Sequence, residues 1–358
     1  MKLFSNKYML YVVLTSLVSL PIAFLVPDAN AQDSAAVSSP KNNIKKINDQ
    51  HSNSRKEKLR ERQLALAEQR AKDLGDYYDG SSFPQLASDK ALVVNQHTGE
   101  VKYAKNSHVV SPIASITKLM TAMVVLDARQ SFDEIIAISE QDIDTIKGTR
   151  SRLAVGTRLS RADMFRLALM SSENRAAFAL ARHYPGGKHA FVKAMNVKAL
   201  SLGLTHSNFV EPTGLMYQNT STAEDLYKLV AASYQYPEIR QATTTPYYHL
   251  AIDGRANPVE FKNTNSLVRE GEWDIGLSKT GFINEAGRCL VMQTTMDGEP
   301  VIMILLNAGG TDKRNGDANR MRKWIQYHHA NPVVSNTRSV KPLHASPKLV
   351  MSGEIYQN

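Results

Sequence analysis

Residues 289–307 read CLVMQTTMDGEPVIMILLN, two apolar runs on either side of an Asp-Gly pair. Asp-Gly between apolar runs is a strong signal for a β-hairpin, because both residues tolerate the positive φ angles of a tight turn. The runs Cys289–Met296 and Val301–Asn307 are therefore predicted to be antiparallel strands, and Trp273–Lys279 is a third strand before them. This part of the chain predicts an antiparallel sheet.

A second hairpin is predicted far upstream of this sheet. Leu92–Asn95 and Val101–Ala104 are short β-prone runs that flank the turn at 97–99. Between the two strand regions the apolar residues recur every three or four positions, which predicts helices. The predicted helices are Ser115–Arg129, one that opens at Ser160 with a capping box, Asn174–Tyr184, Lys188–Leu202 and Thr222–Ala232, with a last one over Asn315–Tyr327. The predicted fold class is α+β: an antiparallel sheet flanked by helices, with an all-helical insertion.

Composition limits the classes of function. The chain has 358 residues, of which 42% are hydrophobic, enough for a core, so wholesale disorder is excluded. A net charge of +9 favours an anionic partner: nucleic acid, a membrane surface or an acidic polymer. The single cysteine, Cys289, excludes an internal disulfide framework and a Cys-Cys metal site. Because it lies in an apolar strand, it is predicted to be a buried structural thiol.

The N-terminal residues have the pattern of a secretory signal peptide. Lys2 and Lys7 precede the apolar run Tyr8–Val26, and an A-x-A site ends at Ala31. We expect residues 1–31 to be a signal peptide that is cleaved near Ala31; a retained membrane anchor is the alternative. Export makes nucleic acid a poor candidate for the anionic partner.

Composition also divides the rest of the chain. Residues 32–90 are polar and partly helix-prone, and are predicted to be a tether. Residues 91–329 contain the predicted strands and helices and form one domain, and residues 330–358 are predicted to be a C-terminal tail. Beyond the N-terminal run no stretch is long and apolar enough to span a bilayer, so cleavage would leave no stable membrane anchor.

Three short motifs contain candidate catalytic residues, and the first is Ser115-Ile116-Thr117-Lys118. A serine hydroxyl is a weak nucleophile that needs a neighbouring base. Residues three apart share one face of a helix, so Lys118 can reach Ser115. At a helix N-terminus, Ser115 would also be near free backbone N–H groups and the positive end of the helix dipole. The same S-x-x-K pattern occurs at Ser38, so this motif alone is a weak signal.

The second and third motifs each have an ordinary structural interpretation as well. Ser172-Glu173-Asn174 lies at a predicted break between helices. The hydroxyl of Ser172 could pass a proton to a leaving amine, and the side-chain amide of Asn174 could hold a lysine and a substrate carbonyl. Alternatively, the motif could be an ordinary turn that caps a helix. Lys279-Thr280-Gly281 lies on a predicted strand. That strand could pair with an extended peptide and bind a carboxylate, or it could simply end there.

The order and structural context of the three motifs are specific: the first opens a helix, the second lies between helices and the third lies on a strand. In this arrangement residues 91–327 resemble the low-molecular-mass penicillin-binding proteins, the serine D-Ala-D-Ala peptidases. Longer stretches carry the same resemblance, over Leu169–Ala177, Phe209–Leu215 and Lys279–Phe282. Within the family, Glu173 in place of the commoner Asp is similar to the D-alanyl-D-alanine endopeptidase branch, the penicillin-binding protein 7 type.

The resemblance implies a β-lactamase/transpeptidase-like fold and a catalytic role for four residues. Ser115 would attack the carbonyl of the penultimate D-Ala and become acylated, and Lys118 would accept its proton. Ser172 would pass the proton to the departing amine, and Asn174 would orient Lys118 and the substrate amide. Burial and the nearby cation of Lys279 would both lower the pKa of Lys118.

The resemblance also implies a substrate-binding strand. Lys279 and Thr280 would hold the carboxylate of the departing residue, and Gly281 would let the substrate backbone approach closely. The backbone N–H groups of Ser115 and Phe282 would form the oxyanion hole. The implied reaction needs no metal and no cofactor.

The resemblance therefore predicts a periplasmic enzyme in which residues 91–329 form a serine DD-peptidase domain. It would cleave D-Ala–meso-diaminopimelate cross-links in peptidoglycan through an acyl-enzyme, and β-lactam antibiotics such as penicillin would acylate the same serine. A D-Ala-D-Ala carboxypeptidase is the first alternative, because both leaving residues have a free carboxylate beside the scissile amide. Protein partners and oligomeric state stay open.

Two further alternatives are weaker. A class A-like β-lactamase would need a carboxylate for deacylation, and Glu211 is the candidate. However, the sequence continues Pro-Thr-Gly-Leu-Met after it, which favours a structural turn. A non-catalytic wall-binding scaffold is the other alternative, although all the motif residues are intact. The ten histidines include no H-E-x-x-H motif, so a zinc peptidase is not supported.

Overall fold

The computed structural model describes residues 83–330 of the chain. In this region the strands are β1 (Ser88–Asn95), β2 (Val101–Lys105), β3 (Ser111–Pro112), β4 (Ile135–Ala137), β5 (Arg158–Ser160), β6 (Thr220–Ser221), β7 (Tyr247–Leu250), β8 (Val259–Lys262), β9 (Ile275–Ile283), β10 (Gly287–Met296) and β11 (Glu299–Ala308). The α-helices are α1 (Thr117–Asp127), α2 (Arg161–Met170), α3 (Asn174–Arg182), α4 (Gly187–Ser201), α5 (Ala223–Ser233), α6 (Pro237–Thr244), α7 (Ser266–Glu270) and α8 (Thr311–Ala330). The predicted signal peptide, residues 32–82 of the predicted tether and residues 331–358 of the predicted tail lie outside the described residues.

The central element is a five-stranded antiparallel sheet with the strand order β2-β1-β11-β10-β9. The predicted hairpin joins β10 to β11, where Met296 pairs with Glu299 and both residues of the Asp-Gly turn have positive φ angles. The first strand of the sheet pairs with the last, because β1 lies against β11. The N-terminal hairpin and the C-terminal strands thus form one sheet, which confirms the predicted α+β class.

Both faces of the sheet are covered, which explains why its strands are nearly continuous apolar runs. On β10, Leu290 and Met292 face one hydrophobic cluster, which includes Met321 and Trp324 of α8. Val291, between them, faces the other and larger cluster, which the helices of the insertion complete. Alternate side chains of each strand therefore enter two separate cores.

The insertion between the two halves of the sheet is mainly helical. Its centre is α1, whose residues Thr117–Val125 are all buried and which contacts α2 to α6. Within the described residues the insertion also contains three short two-stranded pairs that the sequence did not predict: β3–β6, β4–β5 and β7–β8. Strands of two to four residues are too short to show an alternating pattern.

The predicted helix boundaries rest on the expected caps. Ser160 Oγ accepts the backbone N–H of Asp163 at 3.0 Å, and Thr222 Oγ1 accepts that of Asp225 at 3.1 Å. Gly186 and Gly203, beyond the ends of α3 and α4, have φ angles of 83° and 67°. Among residues 83–330, no helix is both long enough and apolar enough to cross a bilayer.

The described fold begins before residue 91. Leu86 is buried in the cluster beneath α8, and β1 begins at Ser88. The carboxylate of Asp317, on α8, accepts the backbone N–H groups of Ala87 and Ser88 at 2.9 and 2.7 Å. This buried carboxylate attaches the start of the sheet to the last helix.

Candidate active site

Ser115 lies on a short 3-10 turn, Ala114–Ile116, that leads directly into α1. The sequence predicted a regular helix from Ser115 onwards, and the structure places this residue in the turn before the helix. Ala114 has a φ angle of 46°. Residues other than glycine seldom adopt this left-handed backbone conformation. It persists only where contacts with the surrounding structure stabilise it.

Two glycines from other motifs pack against this turn. At Gly214, whose φ angle is 86°, a Cβ atom would lie 1.8 Å from the carbonyl oxygen of Ala114. At Gly281, a Cβ atom would lie 3.0 Å from the backbone nitrogen of Ser115. Since only glycine permits a backbone to approach so closely, the loop around Gly214 and strand β9 both rest on the turn that contains Ser115.

Lys118 is fully buried on the first turn of α1. Its Nζ lies 3.0 Å from Ser115 Oγ, 2.7 Å from Asn174 Oδ1 and 2.8 Å from the carbonyl oxygen of Thr213. Each hydrogen of the ammonium group therefore has an acceptor. The structure brings Ser115, Lys118 and Asn174 together around one nitrogen atom.

The environment of Lys118 changes its protonation. Burial lowers its pKa from 10.5 to about 7, although the carboxylates of Glu211, Glu173 and Asp144 oppose this shift. A lysine with this pKa is neutral in a large fraction of molecules at neutral pH. In that form its lone pair can accept a proton from Ser115 at the distance observed.

Lys279 is a second buried lysine in the site. Its Nζ donates to Ser172 Oγ and to the carbonyl oxygen of Thr280, both at 3.0 Å. Burial lowers its pKa, and repulsion by Lys118 and Arg314 lowers it further. The sequence predicted that Lys279 would help to lower the pKa of Lys118. In the structure burial does this, and the repulsion between the two lysines acts on Lys279.

The S-x-N motif occupies the break between α2 and α3, as predicted. Ser172 has a φ angle of 61°, so a second residue other than glycine is left-handed at this site. Asn174 is the first residue of α3. While its Oδ1 accepts from Lys118, its Nδ2 donates to Thr149 Oγ1 at 2.9 Å. The amide is therefore fixed at both ends.

The predicted substrate-binding residues lie consecutively on β9, which is an edge strand of the sheet. Thr280 Oγ1 donates to Thr264 Oγ1 at 2.7 Å. Phe282 is 48% exposed, and the guanidinium of Arg288 lies 3.8 Å from the centre of its ring. An edge strand of this kind can pair with an extended peptide.

Glu211 is a structural residue. Its buried carboxylate accepts the backbone N–H groups of Thr213 and Gly214, the hydroxyl of Thr213 and the amide of Asn219. These bonds hold the loop whose glycine packs on the Ser115 turn. The prediction of a structural turn is confirmed, and the β-lactamase alternative loses its candidate for a deacylating carboxylate.

Cys289 is buried in β10, as predicted, and burial raises the pKa of its thiol to about 11. A thiol with this pKa is protonated at neutral pH and is a poor nucleophile.

The sequence did not predict the loop that supports Asn174. The carboxylate of Asp144 accepts the backbone N–H groups of Ile146, Lys147 and Thr149, and also the Thr149 hydroxyl. These bonds lower the pKa of Asp144 although burial acts in the opposite direction. The loop is irregular and contributes one hydroxyl to the site, so no periodic pattern could have revealed it.

Fold and site together define a class: a serine hydrolase in which the serine is paired with a buried lysine. The comparisons with known proteins identify the family within this class. A family model described as D-alanyl-D-alanine carboxypeptidase, peptidase S11, matches residues 79–310, and the chain belongs to this family.

Curated relatives narrow the comparison further. The chain is 52% identical over 257 residues to a D-alanyl-D-alanine endopeptidase of Pseudomonas aeruginosa, covering 72% of this chain and 83% of the relative. It is 46% identical over 278 residues to a D-alanyl-D-alanine endopeptidase of Escherichia coli strain K12, covering 78% of this chain and 89% of the relative. Among solved structures, penicillin-binding protein D2 from Listeria monocytogenes in its ampicillin-bound form is 29% identical, with a TM-score of 0.60 over 68% of this chain and 99% of the other.

Proposed function

We propose that this protein is a periplasmic serine DD-endopeptidase that cleaves D-Ala–meso-diaminopimelate cross-links between peptidoglycan stem peptides. The observation that carries the proposal is Lys118, a buried lysine with a pKa of about 7 that contacts both Ser115 and Asn174. The preference for cross-links is supported by the two bacterial relatives, which are both named as endopeptidases.

The first half of the reaction forms an acyl-enzyme. Neutral Lys118 takes the hydroxyl proton of Ser115, and Ser115 Oγ attacks the carbonyl carbon of D-Ala. Backbone N–H groups of Ser115 and Phe282 stabilise the negative charge that develops on the carbonyl oxygen. The amide C–N bond then breaks, and the proton that Lys118 took from Ser115 passes through Ser172 to the departing amine, which leaves Lys118 neutral again. The product at this stage is an ester between Ser115 and D-Ala.

The second half of the reaction returns the free enzyme. Water gives a proton to neutral Lys118 and attacks the ester carbonyl. The C–O bond to Ser115 then breaks, Lys118 returns the proton to Ser115 Oγ, and the stem peptide that ends in D-Ala leaves with a free carboxylate. Lys279 and Thr280 hold the carboxylate beside the scissile bond before the amine departs. Burial and repulsion by Lys118 and Arg314 disfavour the charged form of Lys279, so a substrate carboxylate beside this lysine would stabilise that form.

A D-Ala-D-Ala carboxypeptidase is the second candidate. It is supported by the description of the matching family model, which covers residues 79–310. The leaving residue of a carboxypeptidase also has a carboxylate beside the amide nitrogen, so Lys279 would serve both reactions. The two activities differ in whether a methyl group or a second stem peptide is attached to that residue.

We also propose that β-lactam antibiotics acylate Ser115. Support comes from the ampicillin-bound relative of the same fold. The strained amide of a β-lactam would be attacked as the peptide is, and its carboxylate would occupy the place of the carboxylate beside the scissile bond.

The proposed location and chain organisation follow from the sequence pattern. Residues 1–31 would direct export and be removed near Ala31, and residues 32–82 would form a tether. The peptidase domain would extend to residue 329 and include Leu86 and the start of β1 at Ser88, which lie before the predicted boundary at residue 91, and residues 330–358 would form a tail. Relatives that act on D-alanyl-D-alanine peptides support an exported protein.

The test is digestion of purified, cross-linked muropeptide dimers, with products weighed by mass spectrometry. The proposal predicts that wild-type protein converts dimers to monomers and that Ser115→Ala does not. An intact mass measurement after benzylpenicillin treatment, followed by peptide mapping, should place the adduct on Ser115. Full dimer cleavage by Ser115→Ala would refute Ser115 as the nucleophile.

A further inference from the structure

A pocket of about 290 Å³ adjoins the S-x-N motif. It is lined by Arg150, Ser151, Arg152, Ser171, Ser172, Glu173 and Asn174. The site thus extends from Ser172 and Asn174 to two arginines that the proposed reaction does not use.

The two arginines are not equivalent. Arg152 lies 3.5 Å from a carboxylate oxygen of Glu173, and its guanidinium is 5.3 Å from the centre of the Phe261 ring. The other oxygen of Glu173 accepts from Ser151 Oγ at 2.6 Å. Arg150, in contrast, makes neither an ion pair nor a hydrogen bond with any residue in the described part of the chain. The pocket therefore has one unneutralised positive charge.

Arg150 stands on a fixed piece of backbone. Its neighbour Thr149 accepts from Asn174 Nδ2, and its other neighbour, Ser151, donates to Glu173. Both flanking residues are thus bonded to the S-x-N motif itself. On the far side of the loop, Lys147 Nζ lies 2.5 Å from a carboxylate oxygen of Glu285, in the turn that follows β9. The backbone on both sides of Arg150 is consequently anchored, and this exposed arginine lines the pocket.

We propose that Arg150 binds a carboxylate of the stem peptide other than the one beside the scissile bond. The inference rests on the proposed function and specifies its substrate. On the acyl side, one carboxyl group of diaminopimelate is joined to D-Ala and the other is free. On the leaving side, one carboxylate adjoins the scissile amide, and the other is free where the stem ends at diaminopimelate. Lys279 serves only the carboxylate next to the scissile amide. A guanidinium is suited to a second one, because it binds a carboxylate through two parallel hydrogen bonds.

The first arm of the test examines the acyl side with two penicillins. One has an adipoyl side chain, which ends in a carboxylate, and the other has a hexanoyl side chain of the same carbon number, which ends in a methyl group. The second-order rate constant of acylation is measured for each. We expect wild-type protein to react about five- to tenfold faster with the adipoyl compound, the effect of one charge-assisted contact at an exposed site.

Four proteins are compared: wild type, Arg150→Gln, Arg150→Lys and Arg158→Gln. Arg158 is an exposed arginine on β5 that does not line the pocket, so its substitution changes the net charge equally. The preference should fall to about one in Arg150→Gln, persist in part in Arg150→Lys and stay at the wild-type value in Arg158→Gln. Thermal melting shows that each variant is folded.

The second arm examines the leaving side with two cross-linked dimers. In one, the leaving-side diaminopimelate has both of its carboxylates free; in the other, the carboxylate remote from the scissile amide is converted to a carboxamide. The same four proteins are compared by the ratio of kcat/KM for the two dimers. Loss of the wild-type preference in Arg150→Gln locates the bound carboxylate on this side.

Loss of the preference for the carboxylate compound in Arg150→Gln, in either arm, supports the proposal and identifies the side of the cross-link whose carboxylate Arg150 binds. If Arg150→Gln keeps the wild-type preference in both arms, or if wild type has no preference in either, the proposal is overturned. A wild-type protein that cleaves neither dimer would refute the endopeptidase proposal, and the penicillin arm would still decide the role of Arg150.

Discussion

At the scale of single residues, Lys118 meets two requirements that are usually in conflict. It is buried, which favours the neutral amine, and it has three acceptors around its nitrogen, which favour the ammonium. Burial has the larger effect and brings the pKa to about 7. The lysine is thereby able to change its protonation state at neutral pH.

The first prediction concerns pH. The lysine must be neutral to accept the serine proton, and its neutral fraction rises as the pH passes upward through its pKa. The rate of acylation by benzylpenicillin should therefore increase as the pH rises through about 7 and level off at higher pH. Because Glu173 raises this pKa, Glu173→Gln should move the rising limb to lower pH. A limb that starts near pH 10, the ordinary range of lysine, would contradict this assignment of the base.

A second residue-scale prediction concerns Cys289. Since the thiol is buried and burial raises its pKa to about 11, it should react with iodoacetamide only after unfolding. Cys289→Ala should still be acylated by benzylpenicillin. If this variant is correctly folded by circular dichroism but is not acylated, the result would argue for a thiol mechanism.

At the scale of elements, the turn that contains Ser115 depends on close packing of backbone on backbone. Gly214 and Gly156 both have a φ angle of 86°, but a Cβ at 214 would overlap the carbonyl of Ala114, while nothing lies within 4 Å of one at 156. Comparison of alanine substitutions at these two positions therefore separates the effect of backbone strain from that of steric overlap.

Gly156→Ala should cost about 1 kcal/mol of unfolding free energy, the cost of a left-handed alanine, with acylation retained. Gly214→Ala should cost about 3 kcal/mol or more and also abolish acylation, because the turn must move. Urea unfolding and benzylpenicillin labelling measure both effects. Equal losses of stability in the two variants would show that the overlap is relieved without moving the turn.

Much of each element was predictable because its signal is local. The hairpin at Asp297 and Gly298, the cap at Ser160 and the S-x-x-K spacing all depend on neighbours in sequence. The strand that contains Lys279 runs on to Ile283, further than predicted, because polar residues at its functional end interrupt the apolar pattern. The left-handed Ala114 and Ser172 had no local signal, since contacts from distant segments impose their conformations.

At the scale of the whole molecule, the sheet separates two cores with different tasks. The larger core, under the insertion, surrounds α1 and the site, whereas the smaller core holds α8 against the back of the sheet. The topology that joins β1 to β11 was beyond prediction from sequence, because pairing between the two ends of a domain leaves no periodic trace. The network around Lys118 was also beyond prediction, since the carbonyl of Thr213 is a backbone atom and could belong to any residue.

The two cores lead to a prediction about α8. Met321 is fully buried in the smaller core, and Met321→Ala should lower the unfolding free energy by about 2–5 kcal/mol. Below the melting transition the variant should be acylated by benzylpenicillin at the wild-type rate, because the sheet lies between this core and the site. Lys323→Ala, an exposed position on the same helix, should change stability by less than about 0.5 kcal/mol. A slower acylation rate in folded Met321→Ala would show that the two cores are coupled.

Competition between two substrates in one reaction is the sharpest test of the proposed cleavage of cross-links. Purified protein is given an equimolar mixture of cross-linked dimer and uncross-linked pentapeptide, and both are followed over time by mass spectrometry, with Ser115→Ala as the blank. Dimers should be converted to monomers with the higher kcat/KM. Pentapeptides that lose D-Ala while the dimers stay intact would contradict it and identify a carboxypeptidase.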